Sequence, residues 1–116
     1  MANYEFPLDR VFLALGDPTR RAVVSRLVEG AASVKELAAP FAMALPSFLK
    51  HLTVLERCGL IRSQKIGRAR LCQLEPAALR SAETWIARQR VMWEARTDRL
   101  EAYVETLHAQ EKANDQ

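Results

Sequence analysis

Two cysteines, two histidines and four glycines in 116 residues leave little room for several kinds of protein. Cys58 and Cys72 are too few for a disulfide framework or a zinc finger. In a reducing cytoplasm an unpaired, inert pair is the expectation. The scarcity of glycine, with only five prolines, disfavours a loop-rich all-β fold and favours helices. No apolar run approaches the roughly 20 residues needed to cross a bilayer. Residues 1–6 lack the basic stretch and apolar core of a signal peptide, which points to the cytoplasm. There is no Gly-rich phosphate loop, no nucleophile elbow and no Ser-His-Asp or Cys-His set with an orienting partner, so the inventory argues against an enzyme. What is present, 49% hydrophobic and 27% charged residues, is the profile of a soluble globular chain. The length suits one domain.

The formal charge of +3 is unevenly spread. Between positions 45 and 73, six basic residues (Lys50, Arg57, Arg62, Lys65, Arg68, Arg70) face one acid, Glu56, a net of +5 that leaves −2 elsewhere. A basic patch on a near-neutral body is the electrostatic footprint of a nucleic-acid surface. A merely solvated face would carry the same charges, so charge alone leaves both open.

Local signals divide the chain into helices and one hairpin. Apolar Leu8, Val11, Phe12 and Leu15 predict a helix over 8–15, ended by Gly16. Asp17-Pro18 restarts the chain with an N-cap and a first-turn proline, and Val23, Val24, Leu27 and Val28 supply one face up to Gly30. Ser33 and Glu36 fit a capping box that opens a short helix over 34–39, with Pro40 near its end. A helix over 45–58 places Leu45, Phe48, Leu49, Leu52 and Leu55 in one apolar arc and stops at Gly59. Two short extended segments then flank Gly67, predicting a basic hairpin over 60–74. From 77 to about 108 no glycine or proline interrupts good helix formers, and Leu79, Ile86, Trp93, Leu100 and Leu107 recur every seven residues. The companion seam of Ala82, Gln89, Arg96 and Tyr103 is mixed. Such a helix is roughly 48 Å long, too long for a domain this size to cover. A second copy is the simplest partner. Residues 111–116 form a polar tail expected to fray.

A capped helix, a turn, a second helix and a basic hairpin make a mainly α, winged helix-turn-helix arrangement. The helix-turn-helix covers about 33–58, the wing 60–74 and a C-terminal dimerisation helix 76–108, in a single domain over 1–110. The stretches 17–21 (Asp-Pro-Thr-Arg-Arg), 33–38 (Ser-Val-Lys-Glu-Leu-Ala) and 45–61 (with Lys-His-Leu-Thr-Val-Leu-Glu-Arg-Cys-Gly-Leu-Ile) resemble ArsR/SmtB-type transcriptional repressors, over about residues 8–107. The tail from Trp85 to Tyr103, with its Trp-Glu-Ala-Arg-x-Asp-Arg-Leu pattern, is similar to the branch without metal sites. The resemblance implies a homodimer joined by the first and last helices, bound to an inverted-repeat operator. Leu8, Phe12, Leu79, Ile86, Trp93, Leu100, Tyr103 and Leu107 are the interface residues it implies. The thiol motif of the arsenic- and cadmium-sensing branches is missing from 36–41, and the last helix has only His108 where zinc and nickel sensors carry several ligands. No metal or other cofactor is therefore expected.

Ser47 and Lys50 face away from the apolar arc and are candidates for base edges or nearby phosphates. Ser47 also suits a local cap, because Ala44 offers no side-chain acceptor. Leu49, at the edge of the arc, suits core packing first and a thymine methyl second. Val54 shares the outward side. For His51 the resemblance implies a phosphate contact, while its place at the flank equally suits a hydrogen bond to neighbouring backbone. Arg57 faces outward near the helix end, where its charge also suits the dipole. Lys65, Arg68 and Arg70 are the wing candidates for phosphate or minor-groove contact. One of Arg20 and Arg21 suits phosphate contact, or pairing with Asp17 or another acid. Trp85 and Trp93 read as core or interface, though a cleft between paired long helices would also house a small-molecule effector. The competing functional class is a helical dimer whose basic face binds an acidic protein.

Overall fold

The computed structural model describes residues 7–114. Helices α1 (Leu8–Leu15) and α2 (Pro18–Val28) lead into a two-residue strand β1 (Ala32–Ser33) and the short α3 (Val34–Ala38). Then come α4 (Leu45–Arg57), the strands β2 (Ile61–Ile66) and β3 (Ala69–Leu74), and α5 (Pro76–Asn114). The sheet is antiparallel in the order β1-β3-β2, with Ala32 opposite Cys72 and Ser63 opposite Cys72 from the other side. The described chain separates into two compact units, one ending at Ala82 and one beginning at Glu83. Residues 1–6, expected to carry no signal peptide, and the last two tail residues lie outside the described residues.

Several boundaries in the first unit have a local cause. Asp17 caps α2 by accepting from the Arg20 backbone N–H at 3.0 Å, and Pro18 sits where an N–H would have no partner. Ser33 and Glu36 form the reciprocal capping box of α3, each at 3.1 Å. At the end of α4 the Leu60 N–H bonds back to Leu55 O at 3.0 Å and the Gly59 N–H to Glu56 O at 3.1 Å. That Schellman pattern needs the left-handed φ of +84° that Gly59 adopts, and it clamps buried Leu60 against buried Leu55. The wing turns on Gly67-Arg68, with Ile66 paired to Ala69 and Gly67 at φ +61°. Glycine first in a two-residue loop suits the type II′ turns whose twist matches paired strands.

The core is assembled from every element of this unit. Val11, Val23, Leu27, Leu37, Phe48, Leu52, Leu55, Leu60, Ile61 and Cys72 are buried, and Phe41 stacks on Phe48 with ring centroids 5.5 Å apart. Both cysteines are free and buried, and burial raises both thiols above their ordinary pKa. Three expectations from helical phase need correction. Leu45 is 53% exposed and Val28 66% exposed, although both lie on apolar arcs. Val54, read as outward, is half-buried against the core. Phase gives the angle around a helix axis; it does not say whether the neighbouring layer extends that far. Strand β1 was not anticipated, since two residues carry no period.

The second unit is helix throughout its described length. The helix reaches Asn114, beyond the end expected near 108 and through four residues of the tail expected to fray. Trp85, Ile86, Val91, Met92, Trp93, Leu100, Tyr103, Val104 and Leu107 are all exposed in the single chain. A few of its polar side chains are satisfied locally: Arg90 pairs with Glu94 one turn on at 3.4 Å, and the Thr97 and Thr106 hydroxyls donate to carbonyls one turn back.

Candidate nucleic-acid interface

The helix α4 presents two faces with different fates. Phe48, Leu52 and Leu55 anchor it in the core. Opposite them, Ser47, Lys50 and Arg57 are exposed, and Lys50 and Arg57 line one shallow groove with Thr53 and Val54. Ala44 provides no cap, and the Ser47 hydroxyl does not replace it: α4 begins on the backbone carbonyl of Ala44 alone. Ser47, Lys50 and Arg57 have no hydrogen-bonding or ionic side-chain partner among the described residues. Thr53 donates its hydroxyl to Leu49 O at 3.0 Å.

His51 lies at the flank and is already engaged. Its Nδ1 is 3.1 Å from Arg20 Nη1 and 3.7 Å from an Asp17 carboxylate oxygen. The same Arg20 guanidinium donates to Ala14 O at 2.8 Å and Leu13 O at 3.1 Å, filling the orphan carbonyls at the end of α1. Arg20 thus ties α1, α2 and α4 together. Arg21 is used locally, donating to Leu15 O at 2.7 Å. The Arg20 backbone N–H lowers the Asp17 pKa most, and the charges of His51 and Arg20 lower it further against a desolvation penalty.

The wing's cations also divide. Lys65 and Arg70 stand directly opposite across β2 and β3. Like charges in that position repel. Glu56 of α4 relieves the repulsion: Arg70 donates to its Oε2 at 2.7 Å and to Ser63 Oγ at 2.8 Å, and Ser63 donates to the same carboxylate. Arg62 pairs with Glu75 at 3.5 Å. Lys65 and the turn residue Arg68 are exposed and make no ion pair among the described residues. Of the six cations in the basic stretch, Lys50, Arg57, Lys65 and Arg68 are therefore available to an outside anion, while Arg62 and Arg70 are already paired. The Glu56 bridge was not read from the sequence. Its one signal was a lone acid within a basic run.

The first turn of α4, α3 and the wing tip border a second groove, where Leu45, Leu49 and Arg68 meet Val34 and Lys35. Phe12 and Leu79 are half-buried against the core, and Leu8 is half-buried. Ile86, Trp93, Leu100, Tyr103 and Leu107 are exposed on the second unit. Among the described residues no three His, Cys, Asp or Glu side chains cluster as metal ligands, and no helix is long and apolar enough to cross a membrane.

Residues 15–64 match the model of a family described as a helix-turn-helix domain. The chain is 39% identical over 84 residues to the HTH-type transcriptional regulator Rv2034 of Mycobacterium tuberculosis, covering 72% of this chain and 78% of that protein. It is 28% identical over 79 residues to the transcriptional repressor SdpR of Bacillus subtilis, covering 68% of this chain and 88% of that one. A crystal structure of an ArsR family transcriptional regulator superposes with a TM-score of 0.72 at 53% identity, covering 75% of this chain and 96% of the other.

Proposed function

The chain belongs to the ArsR family of winged helix-turn-helix transcriptional regulators, and from that premise we propose that it binds an inverted-repeat operator as a homodimer and represses the adjoining promoter. The observation that carries the proposal is the division of the basic patch. Two exposed groups on α4, Ser47 and Lys50, and two on the wing, Lys65 and Arg68, have no partner of their own among the described residues. A major groove admits one α-helix, so Ser47 and Lys50 take base edges or adjacent phosphates, and Arg57 takes a phosphate at the far end. Lys65 and Arg68 take backbone or minor-groove contacts. Arg70 and His51 act first as positioning residues, Arg70 through Glu56 and His51 through Arg20. The repressor sense follows the relative SdpR.

Homodimerisation is supported by the apolar seam of α5. Trp93 and Leu100 are 66% and 62% exposed, an arrangement that an isolated soluble chain does not favour. With Leu8, Phe12, Leu79, Ile86, Tyr103 and Leu107, they form the proposed interface. The function is binding rather than catalysis, exerted at DNA in the cytoplasm, with no metal required. Sedimentation at micromolar concentration should give about twice the 13.1 kDa of one chain, and two chains per bound duplex. A monomer both free and on DNA would refute the dimer.

A further inference from the structure

The open groove between α3, the first turn of α4 and the wing tip has a volume of about 940 Å³, a size ordinary for a small-molecule site. Val34, Ala38, Ala39, Leu45, Leu49 and Ala69 give it an aliphatic floor. The polar groups around it are unequal. The Ser33 hydroxyl is spent on the α3 cap and Arg70 on Glu56. Lys35 on α3 and Arg68 on the wing line the groove and have no ionic partner among the described residues. The neighbouring acid, Glu36, is held by the Ser33 N–H and faces Arg26 at 3.9 Å. Leu45, half-exposed in the helix's first turn, presents apolar surface to the groove with nothing to cover it within this unit.

Such a floor offers no donor to a nucleic-acid phosphate and no acceptor to a polar ring. It fits an unbranched alkyl chain, and the two unpaired cations at the rim fit an anionic head. We propose that this groove binds a single-chain fatty carboxylate, its chain lying over Val34, Leu45 and Leu49 and its carboxylate between Lys35 and Arg68. A cationic amphiphile meets repulsion there, and a short carboxylate lacks the apolar gain of about 0.8 kcal/mol per buried methylene. Because Arg68 also belongs to the proposed DNA surface, carboxylate and duplex bind in competition, each weakening the other by the same factor. The competition rests on the proposed function; the binding itself does not.

The test is calorimetry on the full chain with laurate, held below its micelle-forming concentration, beside acetate and dodecyltrimethylammonium. One laurate per chain should bind, acetate and the cation should not, and the methyl resonances of Val34, Leu45 and Leu49 should shift. Ala39→Trp, at an exposed position on the groove wall, should abolish laurate binding while DNA binding persists. Lys35→Gln should weaken laurate threefold to fivefold, the worth of an exposed ion pair. Laurate should release bound duplex from the unmodified chain and not from Ala39→Trp. The proposal is overturned by absence of binding, by equal binding of the cation, or by shifts confined to other methyl groups. Laurate binding without any DNA binding would uphold the groove and refute the proposed function instead.

Discussion

Arg70 of the wing and Glu56 of α4 are joined by a 2.7 Å ion pair, fourteen residues apart in sequence, with Ser63 bonded to both. The bridge fixes the hairpin against the helix that reads DNA in the proposed function. It also engages one of the wing's cations, so two neighbouring arginines of the wing differ, Arg70 bonded within the fold and Arg68 not.

Arg68→Ala should flatten the log–log salt dependence of DNA binding by about one unit, for specific and random duplexes alike. Arg70→Ala should change that slope less and instead speed amide exchange in β2 and β3. Glu56→Gln should free Arg70 and raise affinity for random DNA while specificity falls. Salt series on the three variants check this. Equal slope changes for Arg68→Ala and Arg70→Ala would place both on phosphate.

Ser47→Ala and Lys50→Ala should lower the ratio of specific to random binding, by roughly 1–3 kcal/mol for each base edge no longer read. Thermal unfolding should be unchanged, since both side chains are exposed and unpartnered among the described residues. A uniform drop in affinity across sequences would reassign them to phosphates.

Arg20→Ala should destabilise the fold by about 2 kcal/mol, because the carbonyls of Leu13 and Ala14 and the ring of His51 lose a charged donor together. Arg20→Lys should recover little, since one ammonium cannot reproduce the forked geometry. Denaturant titration measures both. A neutral Arg20→Ala would mean that water replaces these bonds without cost.

Asp17 carries a pH signature. Its folded pKa lies below the ordinary 3.8, chiefly because the carboxylate accepts the Arg20 backbone N–H. The carboxylate therefore contributes stability above pH 3.8, and the contribution disappears as pH falls through the lower folded value. Asp17→Asn should lower stability at neutral pH and shallow the acid limb of the stability curve. An acid limb of unchanged steepness would contradict the carboxylate's contribution.

Most of the fold was legible because its boundaries are local. Asp17-Pro18, the Ser33–Glu36 box and Gly59 each act within a few residues, and the structure uses all three as the sequence predicts. The geometry of the candidate interface was legible only in part. Ser47, Lys50 and Arg68 remain exposed and unpaired among the described residues, as their phase and turn position suggested. The ties of Arg70 to Glu56 and of His51 to Arg20 join residues 14 and 31 apart, distances over which residue spacing carries no signal. Leu45 shows the complementary failure, an apolar residue at the right phase with no layer beside it.

Selection of duplexes from a randomised pool by the purified chain tests the central claim most directly. Two copies of α4 related by a twofold axis should enrich an inverted repeat, with half-site centres about 10 base pairs or a multiple apart. Enrichment of a single unrepeated element, or of no motif at all, would contradict dimeric, sequence-specific binding.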